Sequence, residues 1–495
     1  MSDPVAVKTV RGTFFSLSSS GVTIVSGFIR SILLARLLAP EDFGVVTLAL
    51  FFLSMGNQIR DFGFNHALIH RDTDIRRAAS THFVLRVSMA LVMMLLTLGA
   101  VPLFNRSYPA QPQMVNALMV LSLLEILSAA NSTPDFLLRK ELEFKYLAIL
   151  DVVSSLSMTI VAPAMAWAGC GYWALVGERA VPIVVRSTAL WGVRRPWQLS
   201  LDFDGEVAQW YFQFGSFVFL SSTLTFLLDQ FDDFWTGTVL GAVALGFYSR
   251  AYEFARYPRR VIGNPITRVF FPAYAKLQHD RKRLSKAFYR ASSFMIRLGF
   301  LFSLVFALVV PEFVRIFIGD KWLPMVSAFR LMLLYTLLDP LVLTAGQLVT
   351  AVGQPQILTR IKAFQLLCFV PAVVILARYF GINGVAVGAD LMLVLGMVLV
   401  LPHVRQFADF SWWEMFRWPS LALCLGGGSA LLADRYVSTT SDWLSLLTKG
   451  GTATVVYTVV LLAFEYPDYR QVLIAHGRPL LSEALAALKG RRDVS

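Results

Sequence analysis

Charged side chains lie inside long apolar segments of this chain, where a charge normally faces a cavity or a partner. Arg30 stands in the first such segment. Two further groups follow in the seventh and eighth segments: Asp229, Asp232 and Asp233, then Arg250, Arg256 and Arg259. Guanidinium groups bind phosphate in bidentate fashion. We therefore expect the arginines to hold a phosphate group and the aspartates to bind a coupling ion, either a proton or sodium.

Both groups also have structural explanations, which the sequence leaves open. Arg30 and Asp232 occupy equivalent places in two similar halves of the chain, and a salt bridge between them would only hold the halves together. The arginines of the eighth segment could instead reach the anionic lipid headgroups at the cytoplasmic surface.

The composition excludes an ordinary soluble protein. Hydrophobic residues make up 56% of the 495 positions, charged residues make up 15%, and the mean hydropathy is +0.61. Soluble proteins usually have about a quarter of their residues charged. No stretch is polar enough to cover a soluble core, so the sequence predicts an all-α integral membrane protein. Its three cysteines are far apart and form neither a disulfide framework nor a metal-ligand spacing.

A helix that crosses a bilayer needs about 20 mostly apolar residues. That length predicts about 14 transmembrane helices. We place them at 13–34, 43–64, 80–104, 114–136, 146–168, 171–192, 209–236, 243–272, 288–312, 323–351, 358–378, 381–402, 418–434 and 447–465.

The positive charges support this arrangement and set its orientation. With the odd and even loops on opposite sides, one side carries most of the lysine and arginine residues and the other side carries few. The rule that positive loops stay inside then predicts a multi-pass protein of the bacterial inner membrane, with both termini cytoplasmic. The net charge of +12 is explained by this topology, so we expect no nucleic-acid partner.

An internal repeat divides the chain into two halves. LLAPEDFG at 37–44 is similar to VLGAVALG at 239–246, and each stretch follows one apolar segment and opens the next. An even number of predicted helices separates the copies, so both have the same orientation. Transporters built in this way bind their substrate between the repeats. The predicted divisions are an N-lobe at 1–200, a C-lobe at 201–403, two further helices at 404–466 and a basic cytoplasmic tail at 467–495.

Short motifs typical of enzymes occur here without the surroundings that their chemistry needs. Asp202-Phe203-Asp204 has the form of a glycosyltransferase metal motif, but no nucleotide-binding domain surrounds it. The aspartates of the seventh segment are similar to a prenyltransferase motif, but no second such motif follows. Gly426 to Gly428 lack a following lysine and are typical of helix packing, not of a phosphate loop. The sequence therefore predicts no catalytic residues, no metal site and no cofactor.

Three stretches carry a resemblance to a known family. They read RSILLARLLAPEDFG at 30–44, DFGF at 61–64 followed by ALI at 67–69, and PDFLLRKELEFK at 134–145. They resemble the polysaccharide transporter family of Wzx-type oligosaccharide flippases, within the multidrug/oligosaccharidyl-lipid/polysaccharide superfamily.

The resemblance implies a fold and an activity. The expected fold is two pseudo-symmetric six-helix lobes plus two C-terminal helices. The expected activity is translocation of undecaprenyl-pyrophosphate-linked oligosaccharide units to the periplasmic leaflet, for exopolysaccharide, capsule or O-antigen synthesis. The implied partners are this lipid-linked oligosaccharide, membrane lipids, and polysaccharide polymerase and co-polymerase proteins.

The resemblance also implies particular residues. Relatives that flip the peptidoglycan precursor carry an essential arginine in the pattern Gly-Phe-x-Arg, which Gly27-Phe28-Ile29-Arg30 matches. Arg60 lies near a second cavity arginine of those relatives. The expected substrate-binding set is Arg30, Arg60, Arg250, Arg256 and Arg259.

Two other functions remain as alternatives. A cation-coupled exporter of small drug-like molecules would share the fold, but its cationic substrates favour acidic walls. A membrane glycosyltransferase or polymerase would need a long periplasmic loop with paired catalytic groups, and every predicted periplasmic loop is short.

Overall fold

A computed structural model describes residues 4–70, 74–194, 197, 199–437 and 441–472. Within these ranges all regular secondary structure is helical. The first half contains eight α-helices: α1 Pro4–Leu37, α2 Pro40–Asp61, α3 Phe64–His70, α4 Ile75–Gly99, α5 Val101–Ser107, α6 Pro112–Lys140, α7 Phe144–Trp167 and α8 Trp173–Ser187.

The second half begins after a π-helical turn at Thr188–Arg194 and after residues 199–204, which have no regular secondary structure. Its helices are α9 Gly205–Trp235, α10 Ala242–Ala255, α11 Asn264–Leu277, α12 Arg281–Phe313, α13 Val326–Ala351, α14 Pro355–Phe407, α15 Trp412–Val437 and α16 Asp442–Val472. Most of the predicted basic tail follows α16 and lies outside the described residues.

The helices confirm the predicted all-α membrane protein. In the described part of the chain, 9 helical segments are long and apolar enough to cross a membrane, or 10 if a bent pair in α9 counts as one. The predicted number of about 14 spans stays a prediction. One reason for the difference is α14, whose 53 residues correspond to two predicted spans.

A chain reversal divides α14. Gly381 has φ +56° and ψ −136°, which breaks the helical path between the predicted spans 358–378 and 381–402. A Cβ atom on Gly384 would lie only 2.0 Å from the carbonyl oxygen of Leu376, so the chain folds back tightly here. A glycine supplies the left-handed φ that this reversal requires.

The predicted eighth span, 243–272, is also not one helix. It consists of α10 and α11, joined by a π-helical turn at Arg259–Gly263. Pro258 and Pro265 border this turn, and proline removes a backbone donor and obstructs the preceding turn of a helix. The break changes the direction in which neighbouring arginines project.

The repeated segment brings one helix of each half into contact, α2 from the first half and α10 from the second. A Cβ atom on Gly44 in α2 would lie 1.7 Å from the carbonyl oxygen of Ala242, at the start of α10. Reciprocally, a Cβ atom on Gly246 in α10 would lie 1.8 Å from the carbonyl oxygen of Pro40. These four residues occupy equivalent positions in the two repeats. Such an exchange of contacts is what a two-fold axis between them produces.

The ends of two other helices cap one another beside this contact. Lys321 donates to the carbonyl oxygen of Arg36 at 2.9 Å, and Trp322 Nε1 donates to that of Ala35 at 2.7 Å. Arg36 in turn donates to the carbonyl oxygen of Ile316 at 2.8 Å. Carbonyl groups at a helix C-terminus lack intrahelical partners and attract cations. The last turn of α1 and the short helical turns that follow α12 thus satisfy each other across the halves.

The glycine contact yields a stability prediction. Gly44→Ala forces α2 and α10 apart, and we expect it to lower the unfolding free energy by about 1–3 kcal/mol, as overpacking does. Gly56→Ala is the matched control on α2, because its Cβ would meet only the Met93 sulfur at 3.9 Å. Thermal unfolding in detergent should show a lower midpoint for the first variant alone. Equal midpoints for both variants would contradict the close approach.

Candidate functional site

A cavity of about 530 Å³ lies between the two halves. Residues from α1, α2, α7 and α8 line one side, and residues from α9, α10 and the following π-helical turn line the other. Its walls include eight charged side chains: Arg30, Glu178, Arg179, Asp233, Arg250, Glu253, Arg256 and Arg260. The cavity begins at Phe43, which directly precedes the close contact of α2 with α10.

Arg30 lies in the cavity wall and is held by neighbours from its own half. Its Nε donates to Glu178 Oε1 at 2.8 Å, and its Nη1 donates to Thr159 Oγ1 at 3.2 Å. Asp232 is buried elsewhere and accepts a 2.6 Å hydrogen bond from the Tyr248 hydroxyl. The alternative of a salt bridge between Arg30 and Asp232 is therefore wrong, because each residue has a closer partner in its own half.

Arg250 connects the cavity to the contact between the halves. Its guanidinium lies 4.4 Å from the centre of the Phe43 ring, on the opposite half, and pairs with Glu253 at 2.5 Å. Glu253 also lies 3.8 Å from Arg260. The Arg250 side chain is 16% exposed, so it is enclosed by protein and does not extend to a lipid surface.

Arg256 lies nearly two helical turns further along, directly after the last residue of α10. Its Nη1 donates to the Tyr252 hydroxyl at 2.7 Å, and its Nη2 lies 3.7 Å from Asp229 Oδ1. The guanidinium also stacks over the Tyr252 ring at 4.9 Å. These contacts fix the direction of the side chain while leaving it in the cavity wall.

The three aspartates of α9 do not converge on one point. Asp233 lines the cavity, and its Oδ1 is buried without a hydrogen-bond partner among the described residues. Asp232 is enclosed against Tyr248, and Asp229 is 42% exposed beside Arg256. Of the three, Asp233 alone is among the residues that line this cavity.

Two predicted arginines lie outside the cavity. Arg259 donates to Asp339 at 2.6 Å, in a smaller pocket between α10 and α13. Arg60 is buried on α2 and pairs with Glu125 of α6 at 2.5 Å. Both therefore hold helices together within one half, and we do not include them in the site.

The cavity has more positive than negative groups. Five guanidinium groups and three carboxylates line it. At low local dielectric such an excess attracts an anion strongly. Guanidinium groups from both halves face the same space, so one anionic ligand could contact both halves together.

Four of these charges were not assigned to the site from sequence. They are Glu178, Arg179, Glu253 and Arg260, which lie in the sixth and eighth predicted spans but outside the expected substrate-binding and ion-coupling sets. The adjacent pair Glu178-Arg179 was the available signal, because two neighbouring charges inside a membrane helix need a polar environment. Arg179 is exposed and has no ion pair among the described residues.

Comparisons with known proteins identify similar proteins of polysaccharide biosynthesis. A family model described as "Polysaccharide biosynthesis protein" matches residues 33–327. The lipopolysaccharide biosynthesis protein WzxC of Escherichia coli (strain K12) is 25% identical over 400 residues, which are 79% of this chain and 80% of that protein. The succinoglycan biosynthesis transport protein ExoT of Rhizobium meliloti (strain 1021) is 28% identical over 328 residues, 65% of each.

Solved structures share the fold at low sequence identity. The lipid II flippase MurJ in an inward closed conformation has a TM-score of 0.71 and 12% identity, covering 92% of this chain and 99% of that one. A multidrug resistance MATE family transporter in an inward-facing conformation has a TM-score of 0.58 and 18% identity, covering 80% and 95%. These likenesses show the fold alone.

Proposed function

The chain belongs to the polysaccharide biosynthesis protein family, and from this premise we propose that it is a flippase for a lipid-linked oligosaccharide. The family predicted from the motifs at 30–44, 61–69 and 134–145 is confirmed by the family match. The proposed substrate is an undecaprenyl-pyrophosphate-linked oligosaccharide unit, carried across the inner membrane for polysaccharide synthesis.

The observation that carries this proposal is the arginine-rich cavity between the halves. One charge at the centre of a membrane helix costs about 2.5–3.5 kcal/mol on insertion scales. A diphosphate carries at least two charges and would cost more in bare hydrocarbon. Arg30 from one half and Arg250 or Arg256 from the other replace water around such a group. The prenyl tail would stay in the lipid while the head and glycan cross inside the protein.

The contacts between the halves support alternating access. At one end of the cavity α2 meets α10, and the end of α1 meets the turns that follow α12. With the proposed orientation this end is periplasmic, since α1 begins in the cytoplasm. Release of a glycan to the periplasm then requires these contacts to separate. These contacts lie at helix ends, where the two halves could separate as rigid bodies.

Export of cationic small molecules fits the cavity less well. Glu178, Asp233 and Glu253 do provide negative charge, but each lies among the more numerous arginines. A cation would have to displace guanidinium groups from Glu178 and Glu253. The excess of positive charge therefore favours an anionic head.

Arg30→Ala should slow transport of a fluorescent prenyl-diphosphate-linked oligosaccharide in proteoliposomes. A charge-assisted hydrogen bond contributes about 1.5–3 kcal/mol, so we expect a decrease of about 10-fold to 100-fold. Arg283→Ala, at a side chain that is 77% exposed on the surface, is the control and should retain the wild-type rate. Undiminished transport by folded Arg30→Ala would refute the role of this arginine.

We also propose that transport is coupled to an ion through Asp233. Its buried and unpartnered oxygen lies in the cavity wall, where it can bind a proton or sodium ion without leaving the substrate path. An imposed proton or sodium gradient should accelerate the wild type, and Asp233→Asn should transport at one rate with or without the gradient. Asp229→Asn, outside the cavity lining, should keep the acceleration. A full gradient response in Asp233→Asn would contradict this assignment.

A further inference from the structure

We infer that Glu178 is a placeholder anion, a carboxylate that occupies Arg30 in the empty carrier and exchanges with the diphosphate of the substrate. The inference rests on the proposed function, because it concerns how the same cavity takes up and releases its ligand. It begins from the finding that the arginine best placed to bind substrate is already paired.

One edge of the Arg30 guanidinium, formed by Nε and Nη2, has a hydrogen-bond partner at only one of its two nitrogens. Glu178 contacts Nε through one oxygen, and Thr159 accepts from Nη1. Arg30 Nη2 has no hydrogen bond within the described residues and lies near Gly27, where a Cβ atom would be 3.8 Å away. Bidentate binding of a phosphate uses two adjacent nitrogens. A phosphate that takes Nε together with Nη2 must therefore remove Glu178 from Nε.

The partial exposure of Arg30 and Glu178 to the cavity allows this exchange. The Arg30 and Glu178 side chains are 13% and 22% exposed, and both line the cavity. Arg297 and Glu465 form a contrasting pair with two bonds of 2.6 Å each, and Glu465 is only 4% exposed. That second pair is bidentate and enclosed, as expected of a fixed link between α12 and α16. The Arg30 pair is single and open to the cavity, as expected of a contact that opens.

Displaced Glu178 has a second cation within its own helix turn. Arg179 follows it directly, lines the same cavity and has no ion pair among the described residues. When the diphosphate takes Arg30, the displaced carboxylate still shares the cavity with this second cation. When the substrate leaves, Glu178 returns to Arg30 and competes against rebinding. A carrier needs such competition, because a site that binds too tightly releases slowly.

Removing the negative charge at 178 should thus tighten binding and slow turnover. We expect Glu178→Gln to bind farnesyl diphosphate in detergent about tenfold more tightly than wild type, corresponding to about 1.4 kcal/mol. In proteoliposomes, KM and kcat for the lipid-linked oligosaccharide should both fall. Loss of a merely structural contact would instead weaken binding or leave Kd unchanged.

Matched variants separate the possible results. Glu125→Gln removes a carboxylate that pairs with Arg60 outside the cavity and should leave Kd for farnesyl diphosphate at the wild-type value. Glu178→Asp keeps the charge and should bind with a Kd between those of wild type and Glu178→Gln. Only protein that elutes as a single species by gel filtration is compared.

The binding results distinguish the exchange of Glu178 from the existence of the diphosphate site. If wild type binds, Arg30→Ala binds more weakly and Glu178→Gln binds no more tightly, the placeholder inference is overturned while the proposed function stands. If wild type does not bind farnesyl diphosphate, or if Arg30→Ala binds it equally well, the diphosphate site itself falls and the inference falls with it. The exchange is supported if Glu178→Gln binds more tightly and has a lower kcat while Glu125→Gln does not bind more tightly.

Discussion

The backbone contact between α2 and α10 is the constraint on which the rest of this structure depends. At Gly44 and Gly246 the helices approach so closely that neither position has room for a Cβ atom. Because the same repeated segment supplies both sides, each half presents its glycine to the other half's helix start. Close packing through small residues stabilises helix pairs in lipid, where the hydrophobic effect gives little driving force. The halves meet again where Phe62 approaches Gly215 of α9, and the α2 residues that line the cavity lie between these two contacts.

The positions of the charged cavity residues depend on how the two halves meet. Arg250 can stack on Phe43 of the opposite half because the two helices meet just beside these residues. Arg30 and Arg256 line the same cavity, one from each half. Each of these three cavity arginines has a carboxylate within 4 Å, which lowers the cost of keeping it inside a membrane protein. Together the arginines still outnumber the carboxylates, and this excess is what an anionic head requires.

The sequence predicted the helical membrane fold, the repeated segment and the cavity position of Arg30, because these depend on local hydrophobicity or on short motifs. It could not predict the partner of Arg30, since Glu178 lies 148 residues away and the pairing depends on how α1, α7 and α8 pack. It also could not separate Arg256 from Arg259. The two are close in sequence, but the π-helical turn after Pro258 directs Arg259 toward Asp339 instead of the cavity. Arg60 shows the same difficulty, because a buried paired arginine and a cavity arginine have the same sequence context.

The central claim, a hydrated chamber between two helical halves, is tested most directly by thiol accessibility. In a chain whose cysteines at 170, 368 and 424 have been replaced, Thr47→Cys places a thiol in the cavity wall on α2. Ala49→Cys places one on the same helix at a fully buried position outside the lining. A membrane-impermeant maleimide should label residue 47 from one side of the membrane and leave residue 49 unlabelled, and a prenyl diphosphate should protect residue 47. Equal resistance of both positions to the reagent, from either side, would contradict the chamber.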